Sequence, residues 1–169
     1  MSFAAAIASA LPSGSDRGHR SDKGRGGVMR VALLGAGTVG SQVAKILIQQ
    51  GEYLDRRIGA HLELAGIACR HPEKAAFPWI DRSLLTTDAE RLCAEADIVI
   101  ELIGGIEPAR SLILTAFDHG ASVVTANKAL LALHGDKLFA AAARHDADLY
   151  YEAAVAGAVP VVRALRQSL

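Results

Sequence analysis

Between residues 28 and 50 the chain runs through a short apolar stretch, a glycine-rich turn and an amphipathic segment, an order that few folds accommodate. Val28-Met29-Arg30-Val31-Ala32-Leu33-Leu34 is apolar, partly β-branched and followed by Gly, the pattern of a strand buried on both faces of a parallel sheet. Residues 38–50 then place Val39, Val43, Ile46 and Leu47 at helical spacing, with Ser41, Gln42, Lys45, Gln49 and Gln50 between them. Gly51 reads as the C-terminal cap of that helix. The connecting Gly35-Ala36-Gly37-Thr38-Val39-Gly40 fits G-x-G-x-x-G. In that pattern Gly35 permits the tight exit from the strand, Gly37 admits a pyrophosphate where a Cβ would stand, and Gly40 lets helix and strand approach closely. Phosphates then meet free N–H groups at the positive end of the helix dipole. With 16 glycines in the chain the motif alone is weak. The strand before it and the helix after it make it a dinucleotide-binding signature.

The rest of the chain continues the alternation. Residues 61–69 read as a second strand, and Pro72 opens an irregular connection containing Pro78 and Trp79. Thr87-Asp88-Ala89-Glu90 offers a helix start, with the helix running to residue 94. Residues 96–103 form the next apolar strand, closed by Gly104-Gly105. Pro108 suits the first turn of a helix that carries Leu112, Ile113, Thr115 and Ala116 and stops at Gly120. Residues 122–125 are another buried strand, and 129–133 and 138–144 are two helices separated by His134-Gly135. A last strand falls at 148–152 and a last helix at 159–169. Strands alternating with helices predict an α/β fold, a doubly wound parallel sheet of Rossmann type with helices on both faces. The 169 residues predict one domain, a dinucleotide-binding domain over 28–169, after a Ser/Gly/Arg-rich extension at 1–27 expected to be disordered.

Composition narrows the partners. The formal net charge is zero, which gives no basis for nucleic acid or an anionic membrane and favours self-association. No run reaches the ~18 apolar residues of a membrane span. Residues 1–11 resemble a secretory apolar region, yet the positive charges follow it at 17–30, the reverse of a signal peptide. Met29, just ahead of the first strand, is an alternative start. Cys69 and Cys93 stand apart and read as small buried hydrophobes in a reducing compartment, so the cytoplasm is expected. His19, His61, His71, His119, His134 and His145 show no zinc-ligand spacing, and no transition metal is expected.

In open α/β sheets, ligands bind beyond the carboxyl ends of the strands. Those ends are Gly35 to Gly40, Arg70, Ile103-Gly104-Gly105, Thr125-Ala126-Asn127-Lys128, and Glu152 to Pro160. The acidic residue that commonly takes the ribose 2′-hydroxyl has no clear counterpart, since Glu52 and Asp55 lie in a polar connection. Arg70 stands at the end of the second strand instead. A guanidinium there can stack on adenine and pair with a 2′-phosphate, which favours NADP, with NAD the alternative.

Taken together, GAGTVG at 35–40, ELIGG with EPA at 101–109, TANKALLA at 125–132 and YEAAVAGAVPVVRAL at 151–165 resemble the homoserine dehydrogenase family. The resemblance covers nearly all of 31–169 and implies oxidation of L-homoserine to L-aspartate 4-semialdehyde with NAD or NADP, on the route to threonine, methionine and isoleucine. It implies that Thr38 and Val39 sit against the pyrophosphate, that Gly104 and Gly105 pass beside the nicotinamide half, and that Ile103 and Thr125 are among the cofactor-binding residues. Lys128 then lies by nicotinamide and substrate, able to steer a hydroxyl or carboxylate or to take part in proton transfer. Glu152, Val155, Gly157 and Val159 match the family's ligands for a monovalent cation, usually sodium; Gly157 and Pro160 equally suit a plain strand-to-helix turn. The family's substrate-binding, dimer-forming domain has no counterpart before Leu169, so the chain is expected to be a truncated cofactor half, inactive alone, of an enzyme that is homo-oligomeric when whole. Nothing upstream of the first strand resembles the kinase of the bifunctional aspartokinase type. Two other readings remain: another oxidoreductase with the same cofactor fold, of aspartate-semialdehyde or dihydrodipicolinate type, and a non-catalytic nucleotide-sensing module.

Overall fold

The structure, a computed structural model, describes residues 27–58, 60–75 and 77–151. Its sheet is built outward from β1 (Val28–Leu34), whose last four side chains are fully buried. On one side β1 pairs with β2 (His61–Ala68), which pairs with the two-residue β3 (Leu85–Thr86). On the other side it pairs with β4 (Ile98–Glu101), followed by β5 (Ser122–Thr125) and β6 (Leu149–Tyr150). All pairs are parallel, and the spatial order is β3-β2-β1-β4-β5-β6. The register runs from Val31 opposite Ile98 to Leu34 opposite Glu101. Between β1 and β2 it slips once, at Val31/Ala32, where β2 accommodates Ala65 as an extra residue.

Alternation along β1 divides the core into two. Val31 and Leu33 face one layer, with Ile98, Ile100 and Val124 and with Val43, Ala44 and Leu47 of α1 (Thr38–Gln49) and Leu54 of α2 (Gly51–Ile58). Ala32 and Leu34 face the other, with Val99 and Val123. That layer is covered by α3 (Ala89–Ala94), α4 (Ala109–Asp118) and α5 (Lys128–Arg144) through Leu92, Ile113, Phe117, Leu130 and Leu138. The expected doubly wound sheet of Rossmann type is therefore present, with helices on both faces.

Local signals act largely as the sequence predicts. The Asp88 carboxylate accepts the Arg91 N–H at 3.1 Å and starts α3, and Gly120 (φ +80°) follows α4 in the left-handed conformation that ends a helix. Three expectations need correction. Gly51 does not stop the first helix: its φ is not positive, Gln50 closes α1 by donating to the Ile46 carbonyl, and Gly51 opens α2. The polar look of 51–58 hides Leu54, which is 1% exposed and anchors that helix. The two helices expected at 129–133 and 138–144 are one, α5, because Leu130, Leu138, Ala141 and Ala142 share one buried stripe across His134-Gly135. The strand expected at 96–103 is narrower, Ile98–Glu101, and β3 is too short to carry a periodic signal. The last strand is described only as Leu149–Tyr150. The helix expected at 159–169 and nearly all of the 1–27 extension lie outside the described residues.

Gly135 sits inside α5 without needing glycine's conformational freedom. A Cβ there would meet only Phe139 Cε2 at 3.9 Å, an ordinary contact. Gly135→Ala is therefore expected to stabilise the fold by roughly 0.5–1 kcal/mol, raising Tm by about 2–4 °C in a thermal melt.

Candidate dinucleotide site

The sheet order brings four strand exits side by side on the carboxyl edge: Arg70 after β2, the glycine turn after β1, residues 102–105 after β4 and 126–128 after β5. They are stitched together by backbone bonds. Gly35 N–H donates to Ala68 O at 2.8 Å, Leu102 N–H to Leu34 O at 2.9 Å, and Ala126 N–H to Glu101 O at 3.5 Å. Between β1 and β4 the direction of winding reverses, which is where such sheets open a crevice for a ligand.

The three glycines of the turn are held by three different demands. Gly35 has φ +108°, and a Cβ on it would stand 3.0 Å from the Leu102 carbonyl oxygen. At Gly40 a Cβ would fall 1.9 Å from the carbonyl oxygen of Gly35, so no side chain fits. Gly37 is different. Its backbone is extended (φ −75°, ψ −166°), open to any residue, and a Cβ would meet nothing within 4 Å. Among the described residues nothing requires glycine at 37, and the open space beside it leaves room for a ligand phosphate. Gly37 is the N-cap of α1 and no side chain caps it, nor does the first turn hold an acid. Thr38 and Val39 are exposed on its rim, Val39 at 54%. The free N–H end of α1 thus faces open space, and these residues fit a pyrophosphate.

Beneath the neighbouring exits lies a buried polar network. Glu101, the last residue of β4, is fully buried. Its Oε1 accepts the N–H groups of Ile103 (2.8 Å) and Gly104 (3.1 Å), and its Oε2 accepts the Thr125 hydroxyl (2.6 Å). Thr125 Oγ1 in turn accepts the Asn127 N–H at 3.1 Å. The Asn127 amide donates to Gly105 O at 2.6 Å while its Oδ1 caps α5 by accepting the Leu130 N–H at 3.1 Å. Thr125, expected among the cofactor-binding residues, is 1% exposed and spends its hydroxyl on Glu101. Glu101 and Asn127 were not foreseen as site residues. The signal for Glu101 was present: it is the sole charge in the apolar run Ile98-Val99-Ile100-Glu101-Leu102-Ile103.

The two cations of the site are exposed. Lys128 begins α5, against the helix dipole, and has no ion-pair partner among the described residues. Arg70 likewise carries no ion pair among them. Burial pushes the Cys69 thiol up, and pushes Cys93 up to about 12, so neither is poised as a nucleophile. Glu107 is held below the usual carboxylate range by the Ser111 hydroxyl and then by Arg110, which commits it to the start of α4. Glu52 and Asp55 belong to α2, and Asp55 bonds His61 and the Leu62 N–H at the opposite edge of the sheet, too far round to serve a ribose. Two open clefts of about 850 and 510 Å³ also lie at that opposite edge, lined by residues such as Tyr53, His61, Arg30 and Asp97. Among the described residues no group of three His, Cys, Asp or Glu side chains converges to hold a metal. Glu152, Val155, Gly157 and Val159 lie outside the described residues. No helix among those described is long and apolar enough to cross a membrane.

Residues 35–152 match the family described as homoserine dehydrogenase, NAD binding domain. The chain belongs to this family. A homoserine dehydrogenase of Corynebacterium glutamicum is 49% identical over 152 residues, covering 87% of this chain and 33% of that protein. That of Mycobacterium tuberculosis is 50% identical over 141 residues, covering 82% and 32%. Among solved structures, a homoserine dehydrogenase from Thiobacillus denitrificans superposes with a TM-score of 0.72 at 41% identity, covering 84% of this chain and 33% of that one. The chain spans about a third of the length of the relatives it matches. The resemblance carried by the four sequence strings is thereby established at the level of the family and of its NAD-binding domain.

The glycine turn gives a paired expectation. Gly40→Ala drives a methyl into the Gly35 carbonyl and should cost at least about 1–3 kcal/mol of stability, read in a denaturant melt. Gly37→Ser places a favourable N-cap residue in open space, so the fold should be unharmed while dinucleotide affinity falls about tenfold or more in a binding titration.

Proposed function

We propose that this chain forms the cofactor-binding part of an NAD(P)-dependent homoserine dehydrogenase, which interconverts L-homoserine and L-aspartate 4-semialdehyde in threonine, methionine and isoleucine biosynthesis. The observation that carries the proposal is Gly37: a glycine with no internal reason to be one, at the uncapped end of α1, in a chain that matches this family. When bound, the nicotinamide cofactor supplies the hydride chemistry. The chain's own part is to bind and orient it. Gly35, Gly37, Thr38, Val39 and Gly40 receive the pyrophosphate on backbone N–H groups and the α1 dipole. Ile103, Gly104 and Gly105 border the nicotinamide half, and Thr125 acts from beneath them through Glu101. Lys128, exposed and without an ion pair among the described residues, offers its ammonium to a substrate hydroxyl or carboxylate and can assist proton transfer there.

Three finer parts of the proposal have their own support. Arg70, exposed at the end of β2, favours the 2′-phosphate of NADP over NAD. Glu152, Val155, Gly157 and Val159 supply oxygen ligands suited to a hard monovalent cation such as sodium, an assignment supported by the sequence resemblance alone. A cytoplasmic location is supported by two unpaired cysteines, and homo-oligomerisation by the family's habit. The dinucleotide-binding domain is proposed to span 28–169, after an extension at 1–27.

Trp79 makes the central claim measurable. It is the sole tryptophan; its indole donates to the Ser41 carbonyl of α1 at 3.4 Å, and Lys45 Nζ sits 5.0 Å from its ring centroid. NADPH titrated into the 169-residue chain should change Trp79 fluorescence saturably, and NADH should bind more weakly. Arg70→Ala should remove that preference by weakening NADPH about tenfold while sparing NADH. The chain alone should give no homoserine-dependent NADPH formation, because the substrate-holding residues of the family belong to the part it does not span. Absence of saturable binding at millimolar NADPH and NADH would sink the assignment.

A further inference from the structure

We infer that Glu101 is a positioning residue for the nicotinamide half of the dinucleotide, acting through the Gly104-Gly105 turn and the start of α5 without touching the cofactor. The inference rests on the site assignment above and goes beyond it. The turn after β4 has little of its own to hold it. Gly104 and Gly105 both take left-handed backbones (φ +77° and +74°), and a Cβ at 104 would meet nothing within 4 Å. It is therefore a flat backbone surface open to a ligand, with no side chain to pin it.

What pins it comes from below and from the side. Glu101 Oε1 gathers the Ile103 and Gly104 N–H groups, and the Asn127 amide holds the Gly105 carbonyl at 2.6 Å. Glu101 Oε2 fixes Thr125, whose oxygen fixes the Asn127 N–H, and Asn127 caps the helix that begins with Lys128. One buried carboxyl thus sets the turn and the Lys128 end of α5 in a single frame. The adenosine side shares none of these side-chain bonds: Arg70 and the glycine turn follow β2 and β1, tied by the Gly35–Ala68 bond, and the β1 exit meets the β4 exit through main chain alone, at Leu34, Gly35 and Leu102. Sheet order places the two halves of a dinucleotide on opposite sides of the β1/β4 crevice, so loss of Glu101 should be felt by one half alone.

Glu101→Gln keeps the shape and reverses one bond. The amide oxygen can still accept from Ile103 and Gly104, but the amide N–H then faces Thr125 Oγ1, which already accepts from Asn127 and is left with a hydroxyl hydrogen and no acceptor. Two probes read the result, NADPH and 2′-phospho-ADP, which lacks the nicotinamide half. Glu101→Gln should raise the Kd for NADPH about tenfold and leave that for 2′-phospho-ADP within about twofold. Asn127→Ser, which keeps an N-cap and loses the bond to Gly105, should shift the two probes in the same unequal way and decides the matter if Glu101→Gln fails to fold. Amide hydrogen exchange without ligand should quicken at Ile103 and Gly104 in Glu101→Gln. Equal loss for both probes, or no loss for either, overturns the positioning role while leaving the site assignment standing. Failure of the unaltered chain to bind either probe overturns both.

Discussion

The contact on which the rest of the molecule depends is the approach of Gly40 to the carbonyl of Gly35. A Cβ at 40 would lie 1.9 Å from that oxygen, so the first turn of α1 rests directly on the end of β1. That closeness fixes where the helix begins. It also lets Val43, Ala44 and Leu47 reach Val31 and Leu33 in one layer of the core. The same closeness leaves the α1 N–H groups at the sheet edge, with no side-chain cap among the described residues. Packing and the exposure of the helix start are set by one steric condition.

A second condition concerns cost. Burying an ionisable group takes several kcal/mol unless its hydrogen-bonding capacity is filled. Glu101 is buried completely, and it is tolerated because three donors from two strand exits converge on its two oxygens. Two of those donors, the N–H groups of Ile103 and Gly104, lie beyond the last ladder residue of β4 and so have no strand carbonyl to bond. The carboxyl and the turn satisfy each other, which is how a buried polar group can order a loop without stabilising the core around it.

Much of this was legible in the sequence, for reasons that differ from element to element. β1 and β5 fall where the apolar runs place them because a central parallel strand must be apolar on both faces. The glycine turn was legible because its spacing and flanks are stringent together. What was not legible depends on distant contacts. The join of two helices across Gly135 follows from a stripe buried against the sheet, which outweighs glycine's weak propensity. The helix at 51–58 follows from one residue, Leu54, reaching the core out of a polar stretch. At the site, Arg70 and Lys128 stood out as strand-end cations. The network that frames Lys128 was hidden in Glu101, Thr125 and Asn127, whose partnership exists only once β4 and β5 pair with Glu101 opposite Thr125.

The two sides of the crevice are built on different principles, and the difference suits what each must do. On the β2 and β1 side the elements proposed to receive the dinucleotide are main-chain N–H groups and an exposed arginine, parts suited to affinity and tolerant of small displacements. On the β4 and β5 side a chain of buried and part-buried hydrogen bonds at 2.6–3.1 Å ties the turn to the helix bearing Lys128. In the proposed function, hydride transfer would depend on the distance and angle between the ring and the reacting carbon, so rigidity there would be worth more than additional contact. An exposed side chain cannot supply that rigidity, since water competes for each of its bonds. A buried carboxyl with every oxygen engaged can, and the sheet places one at the exit where orientation matters.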